Sequence, residues 1–187
     1  MTATQLDPKT ALVVIDLQKG IIGYQCAHPI ADILSRSSDL TTAFRRHGLP
    51  VVLVNALGIA PGRTEFKRPG GAFPPDFADL APDLNQQPSD HVESKRTWGA
   101  FTNTGLEAYL RSKGVTQIVL CGVATSIGVE STARHAYELG FNVTLAIDAM
   151  TDMSAEAHRN TLAHIFPRLG ESATTTEIIA LLDTKAG

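Results

Sequence analysis

Four short apolar runs set the terms on which this chain can fold: ALVVID (11–16), VVLVN (51–55), VTQIVLC (115–121) and NVTLAIDA (142–149). ALVVID and VVLVN are continuous apolar runs that read as buried strands, the first buried on both faces as in a parallel sheet, and the other two read as strands as well. Each is also far short of the roughly 20 residues a membrane helix needs. The segments between them carry a helical period. Ile30, Ile33, Leu34, Ser37, Leu40 and Phe44 recur at that spacing and Gly48 ends the pattern. Leu106, Tyr109 and Leu110 form a shorter helix stopped at Lys113-Gly114, and Ser126 to Leu139 a longer one stopped at Gly140. Ser154 is a good N-cap for a helix through Phe166, with Pro167 as its stop. HVESK (91–95) adds a short strand, and SATTTEIIALL (172–182) an edge strand and a terminal helix. Strands and helices alternate, which predicts an α/β fold with an open, mostly parallel sheet flanked by helices, in a single domain over 1–187.

Composition narrows the function classes. The chain has 187 residues, 43% of them hydrophobic, enough for a sizeable core. Sixteen Lys+Arg face nineteen Asp+Glu, so there is no electrostatic footprint for nucleic acid or for an anionic membrane. Two cysteines, Cys26 and Cys121, are too few for a disulfide framework. The first ten residues lack a basic stretch followed by an apolar one. The expectation is a cytoplasmic protein whose partner is a small molecule.

In sheets of this kind ligands bind beyond the carboxyl ends of the strands. Asp16, Lys95, Gly122 and Asp148 each fall at such an end. A carboxylate closing a strand often only caps a loop, a reading favoured for Asp148 because Thr151 and Ser154 follow it. A single Lys is usually solvated. An Asp and a Lys at neighbouring strand ends, screened from water, would instead shift each other's pKa and form an acid–base pair. The turn CGVATSIG (121–128) follows a strand and opens a helix, where free backbone N–H groups can hold a carboxylate or an oxyanion. It is neither a P-loop nor the dinucleotide G-x-G-x-x-G. About thirty residues from 56 to 89, rich in Pro and Gly, read as an insertion over the sheet edge. One of its cations, Arg63, Lys67 or Arg68, is a candidate partner for a substrate carboxylate.

Three motifs in this order, ALVVIDLQKG, ESKRTWGAF and CGVATSIGVESTARHAYELGFNVTLAIDAM, resemble the isochorismatase-like hydrolases, the cysteine hydrolase superfamily. The resemblance covers nearly the whole chain and implies a three-layer αβα, Rossmann-like fold, a pocket at the carboxyl edge of the sheet and a homo-oligomer. The family's amidases use an Asp, a Lys and a Cys. Asp16 and Lys95 match the first two, and Gly99-Ala100-Phe101 stands for the usual Ser-Ala-Phe. Gly128 stands where the nucleophilic Cys would be, and glycine supplies no thiolate. The family also implies a cis bond at Val123–Ala124, with Val123, Ala124, Thr125 and Ser126 cradling the substrate and Trp98 and Phe101 as pocket walls or plain core. The Asp and two His that hold a metal in nicotinamidases have no counterpart after VVLVN, so neither metal nor cofactor is expected. True isochorismatases share the glycine and cleave a vinyl ether, with an Asp as general acid. The resemblance therefore implies acid-assisted hydrolysis of a small, carboxylated, enol-ether-like substrate by Asp16 and Lys95. Two alternatives stay open: a non-catalytic binding member, and an amidase using Cys26 or an activated water.

Overall fold

The computed structural model describes residues 3–66 and 72–184. Strand β1 (Thr10–Ile15) is followed by a single helical turn, α1 (Lys19–Ile22), then the long helix α2 (Ile30–Arg46) and β2 (Val51–Ala56). After the insertion come β3 (His91–Lys95), α3 (Leu106–Ser112) and β4 (Gln117–Val123). A π turn (Thr125–Val129) runs straight into α4 (Glu130–Glu138). The chain closes with β5 (Asn142–Thr151), α5 (Ala155–Asn160), β6 (Glu171–Ala173) and α6 (Thr175–Thr184).

All six strands lie in one sheet, in the order β3-β2-β1-β4-β5-β6, and every neighbouring pair is parallel. Side chains leave each strand alternately to its two faces. Leu12, Val14, Leu53, Val119 and Cys121 pack with Ile33, Leu40 and Phe44 of α2 and Ile178 and Leu182 of α6. Val13, Ile15, Val52, Ile118 and Leu120 pack with Leu106 and Leu110 of α3 and Ala133 and Ala136 of α4. These are the three layers, and they explain the unbroken apolar runs. The chain builds outward from β1 to β3, then crosses back to place β4 on the other side of β1. That reversal opens a crevice at the carboxyl ends of β1 and β4.

Two details decide what reaches the crevice. The β4–β5 register jumps from Leu120↔Leu145 to Gly122↔Met150, so β5 bulges and carries on to Thr151. Asp148 is therefore inside a strand, not at its end. Its Oδ1 accepts the Thr175 N–H at 2.7 Å and the Thr175 hydroxyl at 3.0 Å, while Arg36 donates to its carbonyl at 2.8 Å. It anchors the start of α6. The insertion is tied down by the buried Gln18, whose amide donates to Ala56 O (3.1 Å) and Phe77 O (2.8 Å) and whose Oε1 accepts the Ala56 N–H (2.6 Å). Gly122, at φ +118°, is needed where β4 passes β1: a Cβ there would lie 2.0 Å from the Ile15 carbonyl oxygen.

Candidate active site

Asp16 is the first residue beyond β1 and adopts φ +54°, a left-handed conformation uncommon for a residue with a side chain. Its N–H still donates to Val54 O at 3.0 Å, so the turn is pinned to β2. Lys95 ends β3. The sequence reading put the two on neighbouring strands, but β2 lies between them, a lateral separation of roughly 9–10 Å. The long lysine stem spans it because β2 ends, in register with Lys95, at the small Ala56. Lys95 Nζ donates to Asp16 Oδ2 at 2.7 Å and to Thr97 O at 3.2 Å.

Both groups are buried, Asp16 at 6% and Lys95 at 3% exposure. Loss of hydration raises the Asp16 pKa more than the Lys95 ammonium and its hydrogen bond lower it, and the carboxyl ends at about 6 instead of 3.8. Its second oxygen, Oδ1, is buried and finds no hydrogen-bond partner among the described residues. A buried, unpaired polar atom costs free energy and calls for a reason, of which a catalytic role is one; Thr10 Oγ1, at the far end of β1, is the other such atom among the described residues.

Beside the pair lies a cavity of about 190 Å³. Its floor is Asp16, Lys95, Gly128, Val123 and Ala124, and the Val123–Ala124 peptide bond is cis. The walls are mostly apolar. Tyr24 and Ile21 come from α1 and the residues after it, Phe73 and Phe77 from the insertion, Trp98 from the loop after β3, and Met153 from the loop after β5. Phe73 and Phe77 stack at 4.1 Å between ring centroids, and Phe77 rests on Gly20, where a Cβ would come within 2.0 Å of the ring.

The remaining site residues named from sequence go elsewhere. Phe101 points into the core, its ring 5.9 Å from Phe141 and 5.5 Å from His135. Thr125 is fully buried with its hydroxyl 2.8 Å from His158 Nδ1. Ser126 donates its N–H and its hydroxyl to Asp152 Oδ2, each at 2.8 Å. Thr125 and Ser126 thus hold the turn in place and are not among the cavity walls. Arg63 is exposed and also outside the walls, while Lys67 and Arg68 lie outside the described residues.

Sequence reasoning missed the support behind the turn. Asp152 also accepts the Ser154 N–H at 3.0 Å, and His28 packs its ring 4.7 Å from His158 and reaches the Thr151 hydroxyl at 3.1 Å. Burial, then His28, keeps the His158 pKa below its ordinary value. Only the length of β5 would have revealed Asp152, since the bulge moves the strand end from Asp148 to Thr151. Asp152→Ala leaves the Ser126 and Ser154 N–H groups without their acceptor and is expected to destabilise the fold by about 1–3 kcal/mol. Urea unfolding measures this; an unchanged midpoint would show that the turn does not depend on Asp152.

Cys121 is fully buried in β4, and burial pushes its pKa to about 12. Cys26 is half-buried, and burial and the nearby Asp152 carboxylate raise its pKa as well. Among the described residues no three His, Cys, Asp or Glu side chains gather as a metal ligand set would, and no helix is long and apolar enough to cross a membrane.

A buried carboxyl–lysine pair lies at the carboxyl edge of a parallel sheet, in a three-layer αβα fold, and opens on a small, mostly apolar cavity. The isochorismatase domain family matches residues 10–177. An uncharacterized isochorismatase family protein of Bacillus subtilis (strain 168), YwoC, is 42% identical over 178 residues, 91% of this chain and 93% of its own length. Another uncharacterized isochorismatase family protein, YecD of Escherichia coli O157:H7, is 43% identical over 182 residues, 92% of this chain and 96% of its own length. The solved structure of an isochorismatase family protein from Burkholderia thailandensis superposes with a TM-score of 0.92 at 40% identity, covering 96% of this chain and 98% of that one. The chain belongs to the isochorismatase family and is a hydrolase.

Proposed function

We propose that the chain hydrolyses a small enol-ether-like substrate using Asp16 as general acid and Lys95 as its charge partner, with neither a thiol nucleophile nor a cofactor. The observation that carries this reading is the Asp16 carboxyl. Oδ2 is held by Lys95, Oδ1 is buried without a partner among the described residues, and the pKa stands at about 6. Such a group is protonated below about pH 6, keeps a minor protonated fraction at neutral pH, and has an oxygen with no partner among the described residues from which to deliver the proton.

The proton from Oδ1 goes to the terminal carbon of the enol ether, and the C=C electron pair forms the new C–H bond. Water adds to the resulting oxocarbenium ion and returns a proton to the Asp16 carboxylate. The hemiketal then separates into an alcohol and a carbonyl compound. Lys95 orients the carboxyl and stabilises its anionic form between the two proton transfers. Gly128 supports the thiol-free route: a Cβ built on it would lie 3.2 Å from Asp16 Oδ2, where the amidases of the family place their Cys by the resemblance of the turn. The amidase alternative through Cys26 loses support, because that thiol is not a cavity wall and its pKa is raised.

The test is a panel of vinyl ethers, charged and uncharged, with amides and esters as controls, followed before and after iodoacetamide treatment. Vinyl-ether turnover that survives alkylation is expected. Loss of activity traced to alkylated Cys26 would favour the amidase route, and ligand binding with no turnover of any compound would favour a binding protein.

A further inference from the structure

We infer that Gln18 is a positioning residue for the Asp16–Lys95 pair: its side-chain amide takes the place of the two sheet rungs that β1 gives up where the backbone turns out at Asp16. The inference rests on the reading of that pair as the reacting groups and adds what holds them at their working distance.

The β1–β2 ladder shows which rungs are replaced. Leu12 N–H donates to Pro50 O at 2.9 Å and Asp16 N–H to Val54 O at 3.0 Å, and in a parallel pair the donors of one strand follow at every second residue. Continued by one step, the ladder would join the residue 18 N–H to Ala56 O and the Ala56 N–H to Asp16 O. Instead Asp16, at φ +54°, turns the chain away, and its carbonyl oxygen accepts the Gln18 N–H at 2.9 Å. Ala56 keeps both partners all the same. The Gln18 amide donates from Nε2 to Ala56 O at 3.1 Å and accepts the Ala56 N–H on Oε1 at 2.6 Å. A side chain does there what a further stretch of β1 would have done, and the backbone is free to aim Asp16 at the cavity.

What this secures is the span between the two reacting groups. Ala56 is the residue that separates them. On its far side it lies in register with Lys95, and the Leu57 N–H donates to Lys95 O at 2.8 Å. Ala56 is thus gripped from the Asp16 side by Gln18 and from the Lys95 side by β3, and the 2.7 Å contact of Lys95 Nζ with Asp16 Oδ2 passes across it. The second Nε2 proton goes to Phe77 O at 2.8 Å, where the Gly20 N–H also donates, at 3.0 Å. One amide joins the acid turn, the strand that the lysine crosses and the aromatic wall. Gln18 is fully buried, so its bonds are made away from water. The place asks for two donors and one acceptor on one group, which an amide supplies. Ionised glutamate would set negative oxygens against two carbonyls, and asparagine stops one CH2 short.

Wild type, Gln18→Ala and Gly20→Ala separate this role from plain structural support. Gln18→Ala releases both Ala56 groups and opens room for water beside the pair. Gly20→Ala leaves the amide in place and disturbs the wall, since the new Cβ meets the Phe77 ring. Carbon-13 NMR of the Asp16 carboxyl reads the pair without substrate. Loss of hydration is the largest cause of its raised pKa, so in Gln18→Ala the midpoint is expected to fall by about half a pH unit or more. On a vinyl ether the same variant is expected to lose about tenfold to a hundredfold in kcat, as a misplacement near 1 Å does. Gly20→Ala is expected to raise KM instead and to keep the wild-type midpoint. Should Gln18→Ala not fold, Gln18→Asn, which keeps the amide and shortens its reach, carries the same readouts. An unchanged Asp16 midpoint in a folded Gln18 variant would overturn the inference, whatever stability the variant lost. If the wild type turned over no vinyl ether while the Gln18 variant still moved the midpoint, the acid reading would fail and the positioning role would stand.

Discussion

Asp16→Asn is expected to lower turnover of a vinyl ether by about 10²–10⁴-fold, the range general acid catalysis contributes. Asparagine keeps the size of the side chain and an oxygen for Lys95 Nζ, but it has no proton to give. The wild-type pH profile carries the sign. Asp16 must be protonated to act, and burial lifts its pKa to about 6, so kcat/KM should be level below pH 6 and fall tenfold per pH unit above it. The same group leaves a mark on stability. With a folded pKa above the unfolded 3.8, the folded chain binds more protons between 3.8 and about 6, so stability drops as pH rises through that window. The drop is about 3 kcal/mol. Urea unfolding of wild type and Asp16→Asn at pH 4 and pH 7 should show it as a difference between the two proteins. A variant that turns over normally, or a profile flat from pH 5 to 9, would remove Asp16 from the acid role.

Lys95→Met is expected to be the most destabilising single change at the site. Methionine matches most of the lysine stem, so the packing across Ala56 is kept and the charge alone is lost. Breaking a buried ion pair from one side costs about 3–5 kcal/mol. Here the cost depends on pH, because Asp16 can shed its uncompensated charge by taking up a proton. Both contributions that lower the Asp16 pKa come from Lys95, its charge first and then its hydrogen bond. Without them the carboxyl titrates above 6. The variant should therefore be destabilised less at pH 5 than at pH 8, and the alkaline fall in its residual activity should move to higher pH. Equal losses at both pH values would mean that Lys95 acts on the fold and not on the carboxyl.

Much of this layout could be read from sequence because the sheet is buried on both faces. Unbroken runs such as ALVVI allow no other kind of strand, and in the parallel sheet shared by the family the ends of those runs mark the site edge. The place of Asp16 at that edge was legible for this reason, whereas Lys95 ends the half-exposed HVESK and was singled out with the help of the family motif. Their contact across an intervening strand was not, since it depends on Ala56 being small and on the reach of the lysine stem. Trp98 and Phe101 looked alike as ring-bearing neighbours of Lys95. The turn after β3 sends Trp98 to the cavity, 54% exposed, and Phe101 into the core. Asp148 was misplaced by one bulge, which no residue pattern in β5 announces, and Asp152 was hidden by the same bulge. The insertion hid most, for its Pro- and Gly-rich stretch has no period, and its rings are placed by Gln18 and Gly20 from another part of the chain.

The central claim is that the Asp16 carboxyl inside the folded protein titrates near 6, well above the ordinary carboxylate range. Carbon-13 NMR of carboxyl-labelled protein, with Asp16→Asn used to assign the signal, measures this with no substrate needed. A titration midpoint near 6 for the Asp16 carboxyl is the result this account predicts. A midpoint at or below 4 would leave Asp16 ionised throughout the working range and would contradict it.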